Sequence, residues 1–285
     1  MAAAAAVLLA SCTAVRVSYN NADSLMRYVV WRYVDLDPRQ SESLQQRLAR
    51  LHDWHRANEL PAYVEFLESI RSRFSRGLAQ SDVGWAIDAL RAHYRLAAAH
   101  AATEAAPLLV TLSPEQIASI ERKFAKDDAK YEDEWLSGSP ARRERRASER
   151  LIDRFEQWTG DLAPEQRARI REFVKTHPGD AEVRLDERRR WQRTAVELVR
   201  QYRRPDELAP RLARLFGEPD AGRSPDYLVA TRRWEADLGR LVVEISRTLS
   251  AEQRERVLRR IDRYAEDFQS LEHSARASNG VPSPS

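Results

Sequence analysis

One short pattern occurs four times in this chain and constrains its fold more than any other feature. It reads Leu-x-x-x-Gln, and apolar residues follow eight and twelve positions after the Leu. The four copies begin at Leu36, Leu112, Leu162 and Leu249. Apolar residues four positions apart lie on one face of a helix, so each copy predicts the first turns of an amphipathic helix.

The residues after each Leu are typical of helix N-termini. In the first, second and fourth copies, the Leu is followed by a residue that can accept a hydrogen bond from an unpaired backbone N–H. In the third copy it is followed by alanine. These residues are Asp37, Ser113, Ala163 and Ser250. Proline comes next in three copies, where its missing N–H is not needed. The Gln stands where a side chain can reach back to the cap, although the alanine leaves the third capping box incomplete.

The rest of the sequence agrees with a helical protein. Only 9 of the 285 residues are glycine, 32% are charged, and no stretch alternates between polar and apolar residues. We therefore expect an all-α fold of about ten helices in an irregular bundle or array, without a sheet. Pro61 is expected to begin a separate helix, and the alanine-rich helix before Pro107 is expected to end at about Ala106. The four copies are unevenly spaced, which argues against a regular solenoid.

The first residues predict export. Residues 2–10 are uncharged and apolar, and Leu9-Ala10-Ser11-Cys12 resembles the lipobox of bacterial lipoproteins, in which the cysteine thiol carries lipid. Cys12 is the only cysteine, so neither a disulfide within the chain nor a thiol nucleophile is expected once it is lipidated. No Lys or Arg precedes Cys12, which leaves two explanations: the native start lies upstream, or the sequence is trimmed. Thr13 follows where inner-membrane lipoproteins carry Asp, so the resemblance implies the outer membrane, facing the periplasm.

These features divide the chain into four parts. We expect a signal peptide at residues 1–11, truncated if the true start lies upstream, and a lipidated linker at 12–23. A helical periplasmic domain is expected at 24–273 and a disordered tail at 274–285. The apolar segment Leu25–Val34 is too short and too charged to span a bilayer. It is interpreted as a largely buried helix, in preference to a helix at the membrane surface.

The N-terminal region resembles a family of uncharacterised proteobacterial lipoproteins. The resemblance lies in YNNAD at residues 19–23 and YVDLDPRQ at 33–40, with the aromatic Trp31 between them and a lipobox before them. It implies a location and a helical architecture but no catalytic residue. The Leu-x-x-x-Gln pattern also resembles the L-T-x-x-Q motif of small helical periplasmic stress chaperones, with Asp, Ser or Ala in place of the Thr.

Candidate chemistry is sparse. His52 and His55 share one expected helix, and His93 and His100 share another, but neither pair stands in an H-E-x-x-H motif. No phosphate-binding loop, nucleophile elbow or dinucleotide fingerprint occurs. We therefore predict no catalytic residue, no metal site and no cofactor.

Two arginine-rich segments are candidates for binding an anionic envelope partner, because Arg offers two parallel hydrogen bonds to a phosphate. Their arginines are Arg142, Arg143, Arg145, Arg146, Arg188, Arg189 and Arg190. The alternative is that Glu and Asp between them form ion pairs on solvated helix faces. The 47 basic and 44 acidic groups nearly balance, which argues against a nucleic-acid binder.

The leading hypothesis is a non-enzymatic lipoprotein held on the membrane by Cys12, whose helical domain binds another envelope protein or an anionic envelope component. A chaperone-like periplasmic stress protein is the alternative. A peptidoglycan-active enzyme is a third possibility, which would require a deep cleft with a buried carboxylate.

Overall fold

The structure, a computed structural model, describes residues 15–177, 181–218, 220 and 222–278 of the chain. The part it describes is all-α and contains no strand, as the sequence predicts. Residues 15–20 form a helical segment ahead of ten longer helices. These are α1 (Ala22–Trp31), α2 (Pro38–Ser75), α3 (Gln80–Leu109), α4 (Pro114–Leu136), α5 (Pro140–Thr159), α6 (Pro164–Thr176), α7 (Ala181–Gln201), α8 (Pro205–Gly217), α9 (Pro225–Thr248) and α10 (Ala251–Ser278).

The two longest early helices organise the packing. Helix α2 has 38 residues and is about 57 Å long at 1.5 Å per residue. It packs against α3 and α10, and α3 also packs extensively against the short helix α8. Helices α4 and α7 form a second pair, α5 and α6 a third, and α9 contacts α3, α6 and α7.

The hydrophobic core is divided into three clusters. In the first, Ala102 and Ala106 of α3 are fully buried against Leu208 and Leu212 of α8. The small alanines let these helices approach closely, which explains the alanine-rich run in α3. The second cluster joins α5, α6 and α9 around Ile170, and the third joins α2 to α10.

Two helices continue through prolines where the sequence predicts a boundary. Pro61 lies inside α2, and Pro107 lies inside α3, which ends at Leu109. The expectation of a separate helix starting at Pro61 is therefore wrong. A proline removes one backbone hydrogen bond, and the packing of α2 along α3 and α10 holds the helix together across that gap.

The described residues cover only part of the predicted domain division. Residues 1–14, which include the predicted signal peptide and Cys12, lie outside the described residues. Helical structure begins at residue 15, inside the predicted linker at 12–23. Helix α10 extends to Ser278, beyond the predicted limit at 273.

Candidate functional surface at the N-terminal helix

The first two copies of the repeated pattern meet in space and form a joint between the starts of α2 and α4. Gln40 Nε2 donates to Gln116 Oε1 at 3.1 Å, and Gln116 Nε2 donates to Gln40 Oε1 at 2.6 Å. The same amides donate to backbone carbonyls, Gln40 to Thr111 at 3.1 Å and Gln116 to Asp35 at 2.7 Å. Gln40 also completes a capping box with Asp37. One buried glutamine therefore caps its own helix and binds the start of another.

The last two copies form a second joint with the same hydrogen bonds, between the starts of α6 and α10. Gln166 Nε2 donates to Gln253 Oε1 and Gln253 Nε2 donates to Gln166 Oε1, both at 3.2 Å. Gln166 donates to the carbonyl of Thr248 at 3.0 Å, and Gln253 to that of Asp161 at 2.8 Å. The backbone N–H of Ala163 donates to Gln166 Oε1.

The two joints share a sequence rule. One partner reads D-L-x-P-x-Q, from Asp35 or Asp161, and the other reads T-L-S-x-E-Q, from Thr111 or Thr248. The Asp and Thr supply the carbonyls that the partner glutamines bind. The pattern therefore marks the two sides of a structural joint as well as the starts of helices.

Most arginines predicted to form an anionic-partner surface on α5 have partners within the chain. Arg143 donates to the carbonyl of Leu136 at 3.2 Å and Arg146 to that of Ser137 at 2.6 Å, so both cap the end of α4. Arg145 is 70% exposed and lies 4.0 Å from Glu149.

The arginines of α7 surround buried carboxylates. Asp128 of α4 is buried and lies 2.9 Å from Arg188 Nε, 3.8 Å from Arg189 Nε and 3.1 Å from the Gln192 amide. Arg190 faces Glu187, on its own helix, at 3.8 Å. The pairs with Asp128 join α7 to α4. Of the two arginine-rich segments, α5 is the more accessible.

Histidines from α2 and α3 form a cluster with tyrosines, and the N-terminal segment docks on it. The Tyr19 hydroxyl lies 2.9 Å from His55 Nδ1, and the Tyr63 hydroxyl lies 3.3 Å from His55 Nε2. Glu59 is buried and lies 3.0 Å from His93 Nδ1. The ring of Tyr19 also packs on that of His52.

The charge states of these groups limit how they can bond to each other. Burial lowers the pKa of His55, so its imidazole is neutral at pH 7 and has one donor and one acceptor. Burial raises the pKa values of Tyr19 and Tyr63 to about 12, so both keep their protons. The His55 ring therefore donates to one of the two tyrosine hydroxyls and accepts from the other.

Further contacts fix both ends of the N-terminal region to the helical body. Arg16 Nε lies 3.3 Å from the buried carboxylate of Asp267 in α10. The Tyr33 hydroxyl donates to Asp127 Oδ2 at 2.8 Å, and Val34 is buried in the first core cluster. Helix α1 is therefore held before its start and after its end.

Between these attachments, α1 turns its apolar residues outward. The segment Leu25–Val34 was expected to be largely buried, and the structure shows that this is wrong, because only Val34 is buried. Trp31 is 67% exposed, and Tyr28 and Leu25 are each more than half exposed. A contiguous apolar surface of this kind on a folded domain is typical of a contact site for another molecule.

Other kinds of site find less support in the described part of the chain. No three His, Cys, Asp or Glu side chains among the described residues converge as a set of metal ligands. No described helix is long and apolar enough to cross a membrane. Among the concave regions is an open groove of about 310 Å³ between α5 and α6, lined by Arg145, Glu149 and Arg171 among others.

Sequence reasoning treated the four histidines as separate pairs and missed the cluster. A signal was present in α2, where His52, His55, Glu59 and Tyr63 recur at intervals of three and four and so share one helix face. The contribution of Tyr19 comes from a different segment and depends on how that segment folds back on α2.

Comparison with known proteins assigns the chain to a family. No curated protein and no solved structure matches the chain. A family model described as "Family of unknown function (DUF6279)" matches residues 32–228, more than half of the 285 residues, beginning directly after α1. The match includes the first three copies of the repeated pattern and the histidine cluster of α2 and α3. The chain belongs to this family of unknown function, DUF6279.

Proposed function

We propose that this chain is a lipoprotein of the bacterial envelope, which Cys12 anchors to the outer membrane and whose helical body faces the periplasm. Its role is non-enzymatic: the body is held at the membrane surface and binds another envelope protein or an anionic component. The absence of lysine and arginine before Cys12 does not alter the proposal, because the lipobox itself contains the residues that a signal peptidase recognises.

The docking of residues 15–20 is the observation that carries this proposal. Only two residues separate Cys12 from this segment, so the lipidated residue lies within about 10 Å of it even when the chain is extended. Arg16 and Tyr19 then fix the segment to α10 and α2. A lipid on Cys12 would therefore hold the whole helical body close to the bilayer, without a long flexible linker.

Lipidation has a direct test. Labelled palmitate should be incorporated into the wild-type protein in cells, and Cys12→Ala should abolish the label. Label in the Cys12→Ala variant, or none in the wild type, would contradict the proposal.

The outer-membrane assignment has its own test at the residue after the cysteine. Wild-type protein should sediment with outer-membrane markers in a density gradient. Thr13→Asp should shift it towards the inner membrane, and Thr13→Ser is the matched control that should leave it in place. Wild-type protein in the inner-membrane fraction would refute this part of the proposal and leave lipidation intact.

We expect the binding partner to contact the outer face of α5. Arg145 is 70% exposed and lines the groove between α5 and α6 with Arg171. A photo-crosslinking amino acid at Arg145 should capture a partner in intact cells, and one at the equally solvated Val229 of α9 serves as the control. Equal labelling from both positions, or none from either, would argue against a partner surface on α5.

The chaperone-like alternative is less favoured, since it depends on the Leu-x-x-x-Gln motif. In this fold the glutamines of that motif are committed to the two joints. The joints account for the recurrence of the motif without a shared activity.

A further inference from the structure

We propose that the outer face of α1 is a membrane-contact surface, which places its apolar side chains in the interface of the phospholipid bilayer that carries the anchor. This inference rests on the proposed function, since the lipid on Cys12 brings α1 to the bilayer. It adds a second, non-covalent contact that would set the orientation of the helical body.

The residues of this face follow helical spacing. Leu25, Tyr28, Val29 and Arg32 stand at positions i, i+3, i+4 and i+7, so they form one stripe along the helix. All four are exposed, and Trp31 beside them is 67% exposed. The stripe is apolar and aromatic along most of its length and basic at its end.

The two faces of α1 depart from the usual division between apolar and charged residues. A helix on the surface of a soluble domain usually turns apolar residues to the core and charged residues to water. In α1 the half-buried face carries Val30, which packs against the first core cluster, and also the charged Asp23 and Arg27, which lie 3.8 Å apart. Leu25 and Tyr28 point away from the body. Since the attachments before and after α1 fix its rotation, the apolar face is presented outward as a built feature.

The chemistry of the face fits a bilayer interface. Tryptophan and tyrosine concentrate at the boundary between headgroups and acyl chains, where their rings have both apolar and polar contacts. Arg32 forms no ion pair with the described side chains and can meet lipid phosphates at the same depth. Residues 15–31 would extend about 25 Å as a helix, so the whole face lies within reach of the lipid on Cys12.

The test uses the single cysteine of the chain. In full-length protein carrying Cys12→Ser, which has no lipid, Met26→Cys provides a unique attachment site for an environment-sensitive fluorophore beside the stripe. Val229→Cys, in the same background, is the matched control at a residue that is 67% exposed on α9. Vesicles of phosphatidylethanolamine and phosphatidylglycerol are then added to each labelled protein.

We expect a blue shift of the fluorophore at residue 26 and none at residue 229. Leu25→Ser or Tyr28→Ser should weaken vesicle partitioning about tenfold, since each removes the burial of one apolar side chain. Because both residues are exposed, thermal unfolding without vesicles should be unchanged, which separates loss of binding from loss of folding.

Three outcomes would overturn the inference. They are no shift at residue 26, equal shifts at both positions, and a shift that follows protein concentration without vesicles, which would identify α1 as an interface between copies of the chain. Palmitate labelling distinguishes this failure from that of the proposed function. If wild-type protein takes up palmitate but residue 26 of the labelled variant stays in water, only the membrane contact is refuted. If residue 26 shows the blue shift but wild-type protein takes up no palmitate, only the anchor is refuted.

Discussion

Replacing Gln40 with alanine tests whether the joint between α2 and α4 stabilises the fold. Gln40 is 6% exposed, and its side chain takes part in four well-defined interactions. These are the two reciprocal bonds with Gln116, the bond to the Thr111 carbonyl and the bond from the Asp37 backbone N–H. At a net value of about 1 kcal/mol for each hydrogen bond, their loss sums to about 4 kcal/mol.

Part of that free energy is recovered when the former partners of Gln40 form hydrogen bonds with water. Thr111 is exposed and Gln116 is half-buried, so both can be rehydrated in the variant. We therefore expect Gln40→Ala to lower the free energy of unfolding by about 2–3 kcal/mol. Gln166→Ala, which removes the same four interactions from the second joint, should have a similar effect.

Urea unfolding followed by circular dichroism measures these changes, with Gln46→Ala as the control. Gln46 is an exposed glutamine of α2 that bonds only Glu42, at 3.3 Å, so its loss should change stability by less than about 0.5 kcal/mol. A double-mutant cycle of Gln40→Ala with Gln116→Ala should show a coupling of about 1–2 kcal/mol, whereas Gln40→Ala with Gln166→Ala should be nearly additive. If Gln40→Ala were as mild as Gln46→Ala, or if the first cycle showed no coupling, the joint would not be a source of stability.

Three further predictions concern acid sensitivity, glycine and proline. Because burial lowers the pKa of His55 below its ordinary 6.5, its contribution to stability is present above pH 6.5 and is lost as the pH falls through the folded value. The protection of the amides in residues 15–20 against hydrogen exchange, corrected for the intrinsic effect of pH on the exchange rate, should therefore fall on acidification. Unchanged protection down to about pH 5 would count against this. Gly160→Ala should destabilise by about 1–2 kcal/mol, since Gly160 has a φ of +77° and an added Cβ would lie 3.1 Å from Arg256. Gly84 lies in helical backbone with open space around it, so Gly84→Ala should stabilise the fold by about 0.5–1 kcal/mol in the same urea assay. Equal effects at the two glycines would be inconsistent with this explanation. Pro61→Ala should raise stability by about 1 kcal/mol or more by restoring a backbone hydrogen bond within α2, and a lower urea midpoint would show that the proline ring is needed for packing.

Local patterns in the sequence predicted much of the fold. The caps at Asp37, Ser113 and Ser250 begin helices as expected, because a cap depends on residues within one turn of the chain. The end of α2 near Gly77, which has a positive φ, follows from the same kind of short-range signal. Such signals involve contacts between near neighbours and can be recognised in one dimension.

Contacts between distant residues could not be predicted in this way. Gln40 and Gln116 are 76 positions apart, and Gln166 and Gln253 are 87 apart, so the pattern marks the helix starts without indicating which of them meet. The histidine cluster depends in the same way on residues 15–20 folding back on α2. The predicted helix boundary at Pro61 is wrong because packing along the whole of α2 outweighs the loss of one backbone hydrogen bond.

The sequence by itself determined that this chain is helical and where several of its helices begin. It could not determine which side of α1 faces the body. Periodicity shows that Leu25, Tyr28 and Val29 share a face, but either face of a helix can point inward. The tertiary structure decided this, because Tyr19 and Tyr33 are attached to the body and so fix the rotation of α1, leaving its apolar residues facing outward.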